Sequence, residues 1–230
     1  MEAADGRRWA LNHARLVRSQ DLETANQYFE SIPDRLPADS DIYFVRFLKT
    51  LLDFQDSPRL SAAARSRLAG ALTSWPKQAL SSVARWPAIH TENHDLMHLT
   101  IGLFAEKYRG QDVSNQVHEI KQSLGWRLER GWVEWNSSCY QYHYSNPLIV
   151  LADHGPDADL RQAAVDVLNV MLAERALLGV NGYLGGPAFR CRIADANHSM
   201  TARKVVVAIP CAATSKLPTC STDSVGSSTL

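Results

Sequence analysis

The sequence predicts an all-α chain of consecutive antiparallel helix hairpins, and three observations carry that expectation. Apolar residues recur at spacings of three and four through most of the first 180 positions. Proline and glycine fall between the periodic runs, at Ile32-Pro33, at Trp86-Pro87 and across Gly179, Gly182, Gly185 and Gly186. Period-two alternation is absent until Lys204 to Ile209. Such hairpins stack into a straight solenoid or curl into a ring, with functional residues in the inter-helix connections.

Trp9, His13 and Leu16 begin the first helix, and Ala25, Tyr28 and Phe29 mark a second that stops at Ile32-Pro33. Asp39 or Asp41 is placed to cap a third, which carries Ile42, Phe44, Val45, Phe47, Leu48, Leu51 and Leu52. Leu60 to Leu72 reads as a fourth, and Ser81 to His90 as a break, because Trp86-Pro87 interrupts any helix. Thr91 is a good N-cap for a fifth. There Leu96, Leu99, Leu103 and Phe104 form one strip, and Met97, Ile101 and Ala105 a second. An apolar surface that wide implies burial on more than one side. Val113 to Trp132 gives a sixth helix, and a turn at Asn136-Ser137 leads into an aromatic seventh from about Tyr140 to Asp153, with Pro147 as a bend. Asp157 caps the eighth, whose stripe is Leu160, Ala164, Val167, Met171 and Leu178. A helical domain over 1–195 is expected, followed from 196 to 230 by a Ser/Thr-rich tail of low order or non-native sequence.

Composition narrows the function. The 230 residues are 45% hydrophobic and 21% charged, with 24 basic against 24 acidic groups, enough for a core and without a large field for nucleic acid or an anionic membrane. Nothing approaches the ~20 continuous apolar residues of a membrane span. The N-terminus MEAADGRRWALNHARL lacks the apolar stretch of a secretory signal, so a cytoplasmic protein is expected if Met1 is the true start. Cys139, Cys191, Cys211 and Cys220 form no metal-ligand spacing and read as free thiols.

Three clusters can carry chemistry. Thr91-Glu92-Asn93-His94-Asp95 opens a helix, where free N–H groups and the dipole welcome anions and help keep His94 neutral. The bland alternative is a polar first turn with capping groups. Glu134-Trp135-Asn136-Ser137 leads into Tyr140, Tyr142, His143 and Tyr144, whose phenols can move protons and whose rings can stack on sugars; otherwise this is an aromatic packing helix. Gly182 to Arg190 is a Gly-rich loop in which Arg190 can hold a carboxylate or sulfate, or else a plain helix-terminating turn; no Gly-Lys-Ser/Thr follows. Glu92, His94 and His98 could together hold a metal, since positions 94 and 98 share a helix face, but His-x-x-x-His is common by chance, and no metal or cofactor is expected.

The succession WxxxxTENHDLM, GWVEWNSSCYxxxYSNPLIVLAD and GYLGGPAFR, over about residues 85 to 192, resembles the helical toroids of polysaccharide lyases of the alginate-lyase and heparinase-II/III-like families, and related uncharacterised bacterial proteins. The resemblance implies an incomplete α/α toroid, an acidic polysaccharide or oligosaccharide as partner, and β-elimination at a uronate. It makes Asn93 the group that neutralises the uronate carboxylate, His94 the base or its partner, and Tyr140 or Tyr144 the acid for the leaving oxygen. Glu92, Glu134, Trp135 and Arg190 would contact substrate. Two other readings remain: a glycoside hydrolase pairing Glu92 or Asp95 with Glu134, and a non-catalytic helical scaffold or inactive fragment.

Overall fold

The computed structural model describes residues 2–33, 41–75, 92–132, 141–180 and 183–184. Among these the chain is all-α, with eight helices: α1 (Glu2–Arg18), α2 (Leu22–Glu30), α3 (Asp41–Phe54), α4 (Ala62–Thr73), α5 (Glu92–Tyr108), α6 (Ser114–Arg130), α7 (Gln141–His154) and α8 (Ala158–Leu178). The predicted helices are present in order. One short feature was not legible: β1 (Gly179–Val180) pairs antiparallel with β2 (Tyr183–Leu184), a ladder too brief to show a period of two. The expected break at Ser81 to His90, the Thr91 cap, the Asn136-Ser137 turn, the four cysteines and the 196–230 tail lie outside the described residues.

Local chemistry explains the helix ends. Ser61 accepts a hydrogen bond from the Ala64 N–H at the start of α4, and Asp157 Oδ1 accepts one from Leu160 at 2.7 Å to cap α8 as predicted. Gly131 closes α6 at φ 71°, a conformation that costs glycine little. Pro147 lies inside α7 without ending it, so the His143 carbonyl loses its helical donor there. Asp41 does not cap α3. It is the first residue of the helix, fully buried, with its carboxylate turned to α5.

α5 is the centre of the packing. It touches α3, α4, α6 and α7, and from Glu92 to Ala105 only His94, His98 and Gly102 are not buried. These three lie four residues apart, one narrow strip on a helix otherwise enclosed. Met97, Ile101, Leu103 and Phe104 are fully buried, each contributing ~1.5–3 kcal/mol of burial. The expectation of burial on more than one side therefore holds.

α3, α5 and α7 touch one another, and the contacts between their matching ends make them parallel. Asp41 at the head of α3 meets His94 and His98, and Glu92 at the head of α5 meets Tyr144 in the first turn of α7. At the other end Asp53 of α3 meets His154 of α7. α1 joins in the same direction: Trp9 Nε1 donates to Thr50 Oγ1 at 2.9 Å, and Arg59, just past α3, donates to the Val17 carbonyl at 3.0 Å. Three helix N-termini thus converge at one end of the molecule. Among the described residues no helix is long and apolar enough to cross a membrane.

Candidate functional site

The converging N-termini gather two polar clusters side by side. In the first, one oxygen of Asp41, Oδ2, lies 2.5 Å from His94 Nδ1 and 3.3 Å from His98 Nε2. Helical spacing aligns the two imidazoles, and α3 brings the carboxylate from 53 residues earlier. Burial works to raise the Asp41 carboxyl, but the hydrogen bonds and charges of His94 and His98 outweigh it and hold the group well below the usual carboxylate range. The second oxygen, Oδ1, is buried with no hydrogen-bond partner among the described residues. Behind the cluster the Trp75 ring packs 5.4 Å from His98, and Phe44 packs 4.9 Å from Trp75. In front, 34% of the His94 side chain is exposed, against 0% for Asp41.

The second cluster is internal. Tyr144 donates to Glu92 Oε1 at 2.6 Å, and Arg127 of α6 forms an ion pair with Glu92 Oε2 at 2.5 Å. The Arg127 guanidinium also lies 5.3 Å over Trp132, whose ring is 4.2 Å from that of Tyr144. Glu92 therefore ties α5 to α6 and α7 instead of facing a substrate, and an acid paired this closely does not repel an anion. Its contact with the Tyr144 hydroxyl likewise gives that phenol a place inside the fold, with the side chain fully buried. Asn93 is fully buried too, which removes it from direct contact with a glycan in this conformation.

Two further groups feel this environment. Burial pushes the Asp95 carboxyl up to about 6, against the opposing charges of His98, Arg127 and His94. Burial lowers His143 to about 4, assisted by the charges of Arg46 and His94.

At the far end of the same helices stands a further ionic cluster, which no sequence motif marks. Lys49 reaches Asp53 Oδ2 at 2.6 Å and Asp153 Oδ2 at 3.1 Å; His154 Nε2 lies 2.7 Å from Asp53 Oδ1, and His13 Nε2 3.5 Å from Asp53 Oδ2. Asp53, Asp153 and His154 have the donor types of a cation site, but the Lys49 ammonium already stands among the carboxylates.

Of the sequence candidates, the structure brings His94 to Asp41, and Glu92 to Tyr144, while Asn93 is enclosed beside them. Tyr140, Glu134, Trp135 and Arg190 lie outside the described residues, and Tyr142 is placed only as a backbone position of α7. The metal-type set differs from the one expected: Asp41, not Glu92, joins His94 and His98. No sequence signal marks Asp41, since a first-turn aspartate reads equally well as a cap. Arg127, one basic residue on an amphipathic helix, carries no mark either. Chemically the first cluster offers a carboxylate-oriented imidazole at a partly open helix end. No protein-family model, curated protein or solved structure matches this chain.

Proposed function

We propose that this chain acts on an acidic glycan by β-elimination at a uronate, on an incomplete α/α toroid, with His94 as the base. The Asp41–His94 couple carries the reading. A buried carboxylate that accepts from Nδ1 selects the tautomer whose lone pair sits on Nε2, and it stabilises the imidazolium formed when that nitrogen takes a proton. The converging N-termini of α3, α5 and α7 add a field that favours an anionic ligand. The parallel run of α1, α3, α5 and α7 supports a toroid-like order of helices.

In the reaction His94 removes the proton on the carbon bearing the uronate carboxylate. That electron pair forms the C4–C5 double bond, the bond from C4 to the glycosidic oxygen breaks, and an acid protonates the departing oxygen. With Tyr144 engaged by Glu92, the acid falls to Tyr140. With Asn93 enclosed, the carboxylate falls to Arg190. The first assignment rests on the lyase resemblance, the second on the capacity of Arg190, in the Gly-rich loop, to hold a carboxylate bidentately.

The test is incubation with alginate, heparin and chondroitin while ultraviolet absorbance of the unsaturated uronate is followed. Elimination should appear and fall ~10²–10⁴-fold in His94→Gln. Reducing ends without that absorbance would assign hydrolysis instead. Silence in both measurements from folded protein would leave a non-catalytic scaffold.

A further inference from the structure

We infer that Asp41, His94 and His98 form a binding site for a divalent transition-metal ion of the zinc class, with three protein ligands and one open position. This goes beyond the elimination reading and does not depend on it.

One carboxylate and two imidazoles are the borderline N/O donors that zinc and its neighbours prefer. Their ligand atoms all lie within 4.8 Å of one another. Zinc–ligand bonds of ~2.0–2.2 Å in a tetrahedron set neighbouring donors ~3.3–3.5 Å apart. The His98 Nε2 to Asp41 Oδ2 separation of 3.3 Å already meets this, and the His94 contact of 2.5 Å needs to open by about 1 Å. His94 is the most exposed of the three, so a shift of its ring disturbs the least packing.

A second observation points the same way. Asp41 Oδ1 is fully enclosed and lacks a hydrogen-bond partner among the described residues, an expensive arrangement for a carboxylate that serves only as an acceptor for histidines. A bound ion engages both oxygens or repolarises the pair. The strip also leaves room among the described residues: a Cβ built on Gly102, one turn past His98, meets none of their atoms within 4 Å. Trp75 against His98 holds that ring in place.

The helix dipole opposes a cation here, but only weakly. Three N-termini converge here, but each is worth ~0.3–1 kcal/mol, and together they stay well below what direct coordination by a carboxylate and two imidazoles provides. The rival cluster at Asp53, Asp153 and His154 fails where this one succeeds, because Lys49 fills the cation's place there.

An ion on His94 Nδ1 would move the ring proton to Nε2 and abolish the base lone pair. Metal occupancy and base catalysis by His94 are therefore mutually exclusive, and zinc would inhibit any elimination.

The experiment uses the whole chain, stripped with chelator and titrated with Co²⁺ in the absence of glycan. One ion per chain should bind, with visible d–d bands of four-coordinate N/O ligation and a raised melting temperature, and Zn²⁺ should displace it. His98→Gln and His94→Gln should each weaken binding at least ~100-fold, while Asp153→Asn should leave it unchanged. Circular dichroism checks that the variants fold, and the wild-type spectrum stands independently of them. The inference is overturned by absence of bound Co²⁺, by thiolate charge-transfer bands that place the ion on cysteine, or by undiminished binding in folded histidine variants. Because binding is read without substrate, its failure leaves the elimination reading standing, and the reverse also holds.

Discussion

Replacing Tyr144 by phenylalanine removes one hydroxyl and keeps the ring against Trp132, so it tests the bond to Glu92. The side chain is fully buried and the oxygen–oxygen distance is 2.6 Å, short and charge-assisted. Hydrogen bonds to charged groups contribute ~1.5–3 kcal/mol, and Glu92 is itself almost enclosed, so water cannot readily replace the lost donor. Arg127 still neutralises the carboxylate, which keeps the loss near ~2 kcal/mol instead of the larger cost of an orphaned buried charge. For a chain of this size that corresponds to a melting temperature lower by ~4–8 °C, measured by circular dichroism or calorimetry. The same variant separates structure from catalysis. A hydroxyl used inside the fold leaves the elimination rate of folded protein unchanged, whereas a catalytic acid would lower it steeply without the stability loss. An unaltered melting temperature would refute the structural reasoning.

Three further outcomes follow from the geometry. Burial lowers His13 from 6.5 to about 4, against the raising influence of Asp53 and with the lowering influence of Lys49, in a pocket completed by Trp9, Thr50 and Phe54. The unfolded chain then takes the proton first, so this contribution is complete above about pH 6.5 and is lost as pH falls toward 4, by up to ~3 kcal/mol. Urea midpoints of wild type and His13→Gln at pH 7.5 and pH 5 should show a shallower acid loss in the variant; parallel slopes would contradict the assignment. Gly155→Ala should destabilise by ~1–3 kcal/mol, because its Cβ would stand 2.5 Å from the Leu151 carbonyl oxygen and 3.1 Å from Arg161 Cγ. Gly102→Ala, whose Cβ meets no atom of the described residues within 4 Å, should instead be neutral or stabilising by up to ~1 kcal/mol, read like Gly155→Ala by thermal melting.

Periodicity was a good guide to the helices because it reports which face of each helix is enclosed, and that face repeats every three or four residues. The double strip of α5 announced its central place, and the Asp157 cap was visible from sequence. Side-chain pairing across helices left no such trace. His94 stood out beside Asn93, yet its partner Asp41 comes from another helix 53 positions earlier. Glu92 looked like a substrate ligand because its ion-pair partner, Arg127, belongs to a helix whose pattern says nothing about where that guanidinium reaches. Lys49, Asp53, Asp153 and His154 each read as an ordinary exposed charge, and His13 as part of the run that opens the first helix, until three helices are laid side by side. Burial also changed the roles of residues that were seen: Asn93 and Tyr144 have the right chemistry for a sugar site, but sequence carries no measure of access.

The clasp between Asp53 and His154 joins positions 101 residues apart. A ribosome adding ~5–20 residues each second leaves α3 waiting roughly 5–20 s before α7 is synthesised. During that interval the apolar flank that α7 later covers, and the Lys49–Asp53 pair beside it, face whatever else the cell contains. Maturation of this fold is therefore governed by a late arrival, and nascent chains halted before α7 emerges would be the species most in need of a chaperone.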